Sequence, residues 1–332
     1  MRFRLTKPSD LVLARDLIPA AYRYAPPVRD ALPRIWTEML KAGQLNTALV
    51  EDPALTPDER VRGVGLSVFV RDRFADEALA APTPYLNARL HDLIVAGRSP
   101  VLTRREIAEA NANGGLTLMP LHFATRSLDV GIPYVLRTLT AAQDLFRLVH
   151  AGFHVRRVIK EVVNIDLCRF MQSSGMRLIT DYGDTAAAER MRGVNPHERP
   201  YLLAAEHAEF ALGTTMSMMF IVGDARFRFS PAEQRVLQCA LLHEHDDDVA
   251  ADLGISLDTL HKHWRSIYRR VQFTDPAFFP DEPERDRRGR GKRRHLLRYL
   301  TLHMEELRPC RERPGTRTAQ QPTRSDVASP AA

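Results

Sequence analysis

Between Phe229 and Val271, apolar residues return every three or four positions in three short blocks, the spacing of helices with one buried stripe. Ser230 and Pro231 stand where a cap and a first helical residue belong, ahead of Val236, Leu237 and Ala240 on one face. Asp246 to Asp248 open a second block that carries Val249, Ala250 and Leu253 and stops at Gly254. Ser256 caps a third block, in which Leu260, Trp264, Ile267 and Val271 recur at spacings of four, three and four. Upstream the period changes. Phe3–Leu5, Asn46–Val50, Val61–Val70, Leu116–Ala124, Val155–Val163 and Arg177–Thr180 read as strands, Pro120 arguing for an edge or a bulge. Helices are expected from Asp10 to Ile18, around Ile35–Leu40, and near Tyr85–Val95, Thr103–Asn113, Pro133–His150 and Ile165–Ser174. Ala186–Met191 and Leu202–Phe210 also read as helical. This order predicts an α/β layer fold followed by an all-α unit.

Two short helices, a turn at Gly254 and a longer basic helix describe a helix-turn-helix. Opposite the apolar stripe of the third helix stand Asp258, His261, Lys262, Arg265 and Arg269, a mostly cationic, hydrogen-bonding face. Such a face suits the major groove, where Arg reads guanine edges and Lys or Arg meets phosphates. The plain alternative is a solvated face of an ordinary bundle. The segment resembles the LuxR-type helix-turn-helix of bacterial transcription regulators and aligns to it without a gap. The matching residues are Phe229-Ser230-Pro231, Glu233, Val236-Leu237, Val249-Ala250, Leu253-Gly254-Ile255-Ser256, Thr259-Leu260, His263, Ile267-Tyr268 and Arg270-Val271. His243 and His245 depart from it, standing where the family has Gly and a small hydroxyl residue. The resemblance implies a DNA-binding site drawn from Ser256, Asp258, Thr259, His261, Lys262, His263, Arg265, Arg269 and Arg270. Thr259 and Arg270 are the expected phosphate contacts.

The stretch from Asn164 to Met176 is similar to the GNAT acetyltransferase superfamily, with Asn164, Phe170, Gly175 and Met176 in the family's places. The resemblance implies an N-terminal GNAT-like domain of mixed sheet and helices. It departs where the chemistry would lie. The acetyl-CoA loop, (Arg or Gln)-x-x-Gly-x-(Gly or Ala), corresponds here to Arg126–Pro133, RSLDVGIP, with Asp129 in a glycine place and a proline that offers no N–H. Met171 stands where the family often has its general-acid Tyr and cannot donate a proton. These losses predict a catalytically inactive shell: no enzyme, no catalytic residue and no cofactor. The alternative is a GNAT-type N-acetyltransferase that uses acetyl-CoA and carries an appended DNA-binding module.

Composition sharpens the picture in two places. The net charge of +6 is concentrated in Arg285–Arg294, RDRRGRGKRR, seven basic residues against one Asp, which suits a polyanion. Cys168, Cys239 and Cys310 are far apart, so free thiols in a cytoplasmic, reducing setting are expected, and no apolar run long enough for a signal or membrane span opens the chain. His243 to Asp248 contains ligand-type residues but at a spacing that diverges on a helix, so no metal site is expected. Met216, Met218 and Met219 read as core packing. The expected division is 1–184, a sensory or interaction domain; 185–225, a linker with helices; 226–307, the helix-turn-helix with an extra helix; and 308–332, a disordered tail. In that tail-side helix, Leu296, Leu300, Met304 and Leu307 share the face expected to form a dimer. Duplex DNA, a second copy of the chain and an unknown effector are the expected partners, with no membrane.

Overall fold

The computed structural model describes residues 1–129, 131–183, 191, 193–209, 213–220, 224–243, 245–279 and 290–308. The helix expected over Ala186–Met191, apart from Met191 itself, half of the basic run and nearly all of the C-terminal tail lie outside them. No helix among the described residues is long and apolar enough to cross a membrane.

Seven strands form one sheet: β1 (Arg2–Leu5), β2 (Leu45–Glu51), β3 (Val61–Val70), β4 (Leu116–Thr125), β5 (Val155–Val163), β6 (Arg177–Asp181) and β7 (Pro200–Glu206). Their order is β1-β2-β3-β4-β5-β7-β6, and every neighbouring pair is antiparallel except β4–β5. A parallel pair needs a long crossover, and α7 (Pro133–His150) supplies it. Pro120 sits in a central strand rather than at an edge. Ser67 pairs with Pro120 and Leu66 with His122, so Leu121 is the extra residue of a bulge that accommodates the missing N–H.

One face of the sheet is covered by α1 (Asp10–Leu17), α2 (Pro26–Lys41), α4 (Asp72–Ala80) and α5 (Leu86–Val95); a short α3 (Pro57–Arg60) leads into β3. Leu11, Leu32, Trp36 and Leu90 pack there against Leu49, Val68 and Ile159. The other face carries α6 (Arg104–Ala112), α7 and α8 (Ile165–Ser173), over Leu116, Leu118, Val158 and Leu203. Asn164 caps α8, its side chain accepting from the N–H groups of Asp166 and Leu167. Gly175 follows at φ 106, and a Cβ there would meet the Thr214 side chain.

Residues 202–206, expected to be helical, belong instead to β7, which lies between β5 and β6. Both faces of β7 are buried, Leu202 and Ala204 on one and Tyr201 and Leu203 on the other. The strand therefore lacks the alternation that would have marked it. Helix α4 was likewise absent from the sequence reading.

The C-terminal part is helical: α9 (Pro231–Ala240), α10 (Asp246–Leu253), α11 (Leu257–Thr274) and α12 (Arg290–Leu300). Ser230 and Glu233 form a capping box on α9, and Gly254 ends α10 at φ 64. Leu296, Leu300, Met304 and Leu307 are buried against Leu237, Ile267 and Val271 of the same chain. The apolar face expected to dimerise is thus consumed internally. Arg308 ties this unit to the sheet domain, donating to the carbonyls of Leu148, Val149 and Ala151 at the end of α7.

Candidate active site in the parted strands

Strands β4 and β5 pair only at Leu116 with Val155, Thr117 with Arg157 and Leu118 with Val158. Beyond that point β4 runs on to Thr125 against β3 alone, and β5 runs on to Val163 against β7 alone. The two strands therefore part in the middle of the sheet, leaving backbone groups that must find other partners. Lys160 bridges the gap, its Nζ donating to the carbonyls of Pro120 (3.1 Å) and Leu121 (2.8 Å). Asn87 Nδ2 adds a second donor to Leu121 at 3.0 Å. Burial pushes the Lys160 ammonium down to about 7, opposed by the charge of Glu161.

A cavity of about 180 Å³ opens beside Lys160, between the sheet, α7 and α8. Its walls are apolar, with Leu139, Phe146, Val149, Phe170 and Met216 among them. An engineered apolar cavity of ~150 Å³ takes up benzene, so this one has room for an apolar group of on the order of six carbons. A few polar groups converge on it, as in small-molecule sites generally. Asn46 Nδ2 is buried without a hydrogen-bond partner. Ser67 Oγ lies 2.7 Å from His150 Nε2, whose other ring nitrogen is 2.7 Å from the Phe146 carbonyl. Burial, with Arg308 nearby, lowers His150 to about 3, so the ring is neutral and a poor base for Ser67.

On the opposite face lies Glu161, the next residue along β5. It is fully buried, and neither carboxylate oxygen closes a hydrogen bond. Burial raises it to about 7; the N–H groups of Leu86, Tyr85 and Asn87 at the start of α5 pull the other way. Around it, Tyr24 OH lies 2.7 Å from His122 Nε2, and Trp36 Nε1 donates to His91 Nε2 at 2.9 Å. Because His91 Nε2 accepts, its proton sits on Nδ1, which donates to the Asn87 carbonyl. Burial holds both imidazoles below their ordinary range, His91 at about 4, so both are neutral. None of Lys160, Glu161, His122 and Asn87 was singled out from sequence. A charged pair inside the otherwise apolar run Val158–Val163 was the available signal.

The stretch that leads into α7 is braced by its own side chain. Asp129 turns its carboxylate onto the Gly131 N–H at 2.9 Å, beside the first turn of α7, where Pro133 supplies no donor. The charge of Asp129 disfavours a second anion at that end of α7. Met171 does line the cavity.

The residues expected at DNA divide into two groups. Asp258, His261, Lys262, Arg265 and Arg269 are exposed on α11, with Lys262 paired to Asp258 at 3.2 Å. Ser256 and Thr259 bond each other at the start of the helix, and Arg270 donates to the buried Glu233 at 2.9 Å. Those three serve the local fold. His263 is half-buried beside Trp264.

No protein-family model and no curated protein matches this chain. Among solved structures it is similar to FeeM, an N-acyl amino acid synthase from uncultured soil microbes, at 15% identity, 64% of this chain, 99% of that one and TM-score 0.34. It is also similar to a mosquito arylalkylamine N-acetyltransferase-like protein, 5b, at 14% identity, 62% and 99% coverage and TM-score 0.36. A putative acetyltransferase of the GNAT family from Desulfovibrio desulfuricans gives 15%, 62% and 98% with TM-score 0.33. Two expectations are withdrawn, that the N-terminal domain is catalytically inactive and that the chain is not an enzyme, because the parted strands, the cavity and Lys160 leave a candidate site in place.

Proposed function

We propose that this chain is an acyltransferase of the GNAT type, moving an acyl group from a thioester to an acceptor. The observation that carries the reading is the parting of β4 from β5 around Lys160, with the apolar cavity beside it. An extended thioester arm bearing amides can pair with unpaired strand backbone in such a gap, much as a peptide adds to a sheet edge. The cavity then takes the donor's apolar part. In its protonated form Lys160 spends two of its three N–H groups on Pro120 and Leu121 and keeps one for the reacting carbonyl or the departing sulfur. A donor diphosphate near the start of α7 would meet the charge of Asp129.

The test is thiol release by the full chain from short and medium acyl-CoA thioesters in the presence of amine acceptors. The Lys160→Met variant is expected to lower the rate at least about a hundredfold, the scale for losing one transition-state donor. No acyl transfer with any chain length would reject the reading.

The helical unit is proposed to be a LuxR-type helix-turn-helix appended to that enzyme, with duplex DNA as its partner. Exposure of Lys262, Arg265 and Arg269 along one side of α11 favours this. Arg265→Ala should then weaken binding to a selected duplex by about 1–3 kcal/mol, and binding should fall steeply with salt. Anisotropy titrations in which neither changes would exclude DNA. Pairing of two copies on half-sites would use a surface other than the buried side of α12.

A further inference from the structure

One row of paired residues crosses the sheet from the gap toward its edge. Asn46 on β2 is the partner of Ser67 on β3, and Ser67 is the partner of Pro120 on β4. The Pro120 carbonyl in turn accepts from Lys160 Nζ at 3.1 Å. All four residues line the same cavity, which therefore runs under α7 from the parted strands to β2. Neighbouring strands lie about 4.8 Å apart, so the Asn46–Ser67 pair is roughly 7–10 Å from β4. An extended chain, advancing about 1.2 Å per bond, covers that distance in roughly six to eight bonds.

The row ends on two polar atoms of opposite kind. Asn46 Nδ2 is buried and has no acceptor among the described residues. Ser67 offers the complement, and the direction of its hydrogen bond follows from its neighbour. His150 Nδ1 lies 2.7 Å from the Phe146 carbonyl, which can only accept, so the proton of this neutral ring sits on Nδ1. His150 Nε2 is then an acceptor, and Ser67 Oγ donates to it at 2.7 Å. The Ser67 hydrogen is spent, while its oxygen keeps lone pairs. Directly opposed residues on neighbouring strands share a face, so this donor and this acceptor stand side by side in an otherwise apolar cavity. A hydroxyl completes both, accepting from Asn46 and donating to Ser67. A ketone would satisfy Asn46 alone, and a methyl group neither.

We infer that the cavity selects an acyl chain of medium length that bears a hydroxyl about six to eight bonds from its thioester carbonyl, read by Asn46 and Ser67. This rests on the acyltransferase reading and adds the class of donor. Discrimination comes from desolvation. The hydroxyl loses water on entry and regains two hydrogen bonds, whereas a plain chain leaves the Asn46 donor buried and unsatisfied. His150 acts as a positioning residue: with its proton held by Phe146, it keeps the Ser67 hydrogen turned away from the ligand.

The test uses the full chain and calorimetry with 8-hydroxyoctanoyl-CoA and octanoyl-CoA, which differ by one oxygen at the far end. The unaltered protein should bind the hydroxylated thioester about tenfold tighter. 2-Hydroxyoctanoyl-CoA, whose hydroxyl stays beside the carbonyl, should show no gain over octanoyl-CoA. Asn46→Leu should reverse the preference to at least about tenfold in favour of octanoyl-CoA, because the hydroxyl is then buried against a methyl group. Ser67→Ala should cut the preference at least about threefold and keeps the test open where the Leu variant fails to fold. Equal or tighter binding of octanoyl-CoA by the unaltered protein is the result expected if the two polar atoms hold only a trapped water, and it would overturn the assignment. An equal gain with the 2-hydroxy thioester, or a preference undiminished in every folded variant, would overturn it too. Preference for the far hydroxyl without thiol release to any amine would leave the pocket standing and sink the transfer reading. Transfer from both octanoyl thioesters with equal affinity would do the reverse, and binding of neither would remove both.

Discussion

Lys160 and Glu161 are neighbours on β5, yet they are buried on opposite faces of the sheet, one beside the cavity and one among tyrosines. Strand alternation is enough to separate them, since consecutive side chains point to opposite sides. Where β4 draws away from β5, Lys160 fills the gap from the cavity side, while Glu161 faces the start of α5.

The same pair sets a pH dependence of stability. Glu161 is raised in the folded chain, so its contribution is fully present below the ordinary carboxyl range and is lost as pH rises through about 7. Lys160 is lowered, so the unfolded chain binds more protons above about 7 and stability recovers as pH rises further. Below neutrality the buried imidazoles of His91, His122 and His150 act the other way, stability climbing as pH rises through the ordinary imidazole range, so the contribution of Glu161 is read as a difference. The urea midpoint of the unaltered chain, relative to that of Glu161→Gln, should fall as pH rises from the ordinary carboxyl range through about 7.

Filling the cavity should separate binding from folding. Ala142 lines it from α7 and is half-buried. Ala142→Phe is expected to weaken hexanoyl-CoA binding at least about tenfold, roughly 1.4 kcal/mol. Its effect on acetyl-CoA should be smaller, and paired titrations of the two thioesters would measure the difference.

The charge on Asp129 should act against a nucleotide donor. Asp129→Asn keeps an acceptor for the Gly131 N–H and removes the negative charge beside the first turn of α7. Free coenzyme A should bind about two- to fivefold tighter, corresponding to ~0.5–1 kcal/mol for a charge at a helix start. Calorimetry at low salt gives the comparison.

Arg308 should govern the joint between the two parts of the chain. Its guanidinium is buried against the last carbonyls of α7 and lies 4.8 Å over the Phe153 ring. Arg308→Met keeps the apolar stem and removes the donors. A loss of about 1.5–3 kcal/mol is expected, the range for hydrogen bonds to a charged group. Faster amide exchange around 148–153 would locate it.

Much of the fold was legible because it is locally encoded. The bounds of α7 follow from Pro133 at its start and an unbroken period to His150, and Ser230, Gly254 and Ser256 mark their helices by caps. β7 escaped because a strand buried on both faces has no alternation to read. The candidate site escaped for a different reason. Local pattern marks the loop before α7 and Met171, whereas the groups that meet at the parting are Lys160 and Asn87, both donating to the Leu121 carbonyl, with His122 beside them on the cavity wall. The cationic side of α11 was read correctly as exposed for Lys262, Arg265 and Arg269, while Arg270 proved to be held by Glu233.

By itself the sequence determined where helices and most strands begin and end, and which side of each is apolar, because caps, period and turn residues act over a few positions. Tertiary structure alone decided that β7 enters between β5 and β6, that β4 and β5 part after Leu118, and that a lysine and a glutamate on one strand both titrate near neutrality. The reason is physical: strand partnership and loss of water are set by residues far away in the chain, and no local pattern records them.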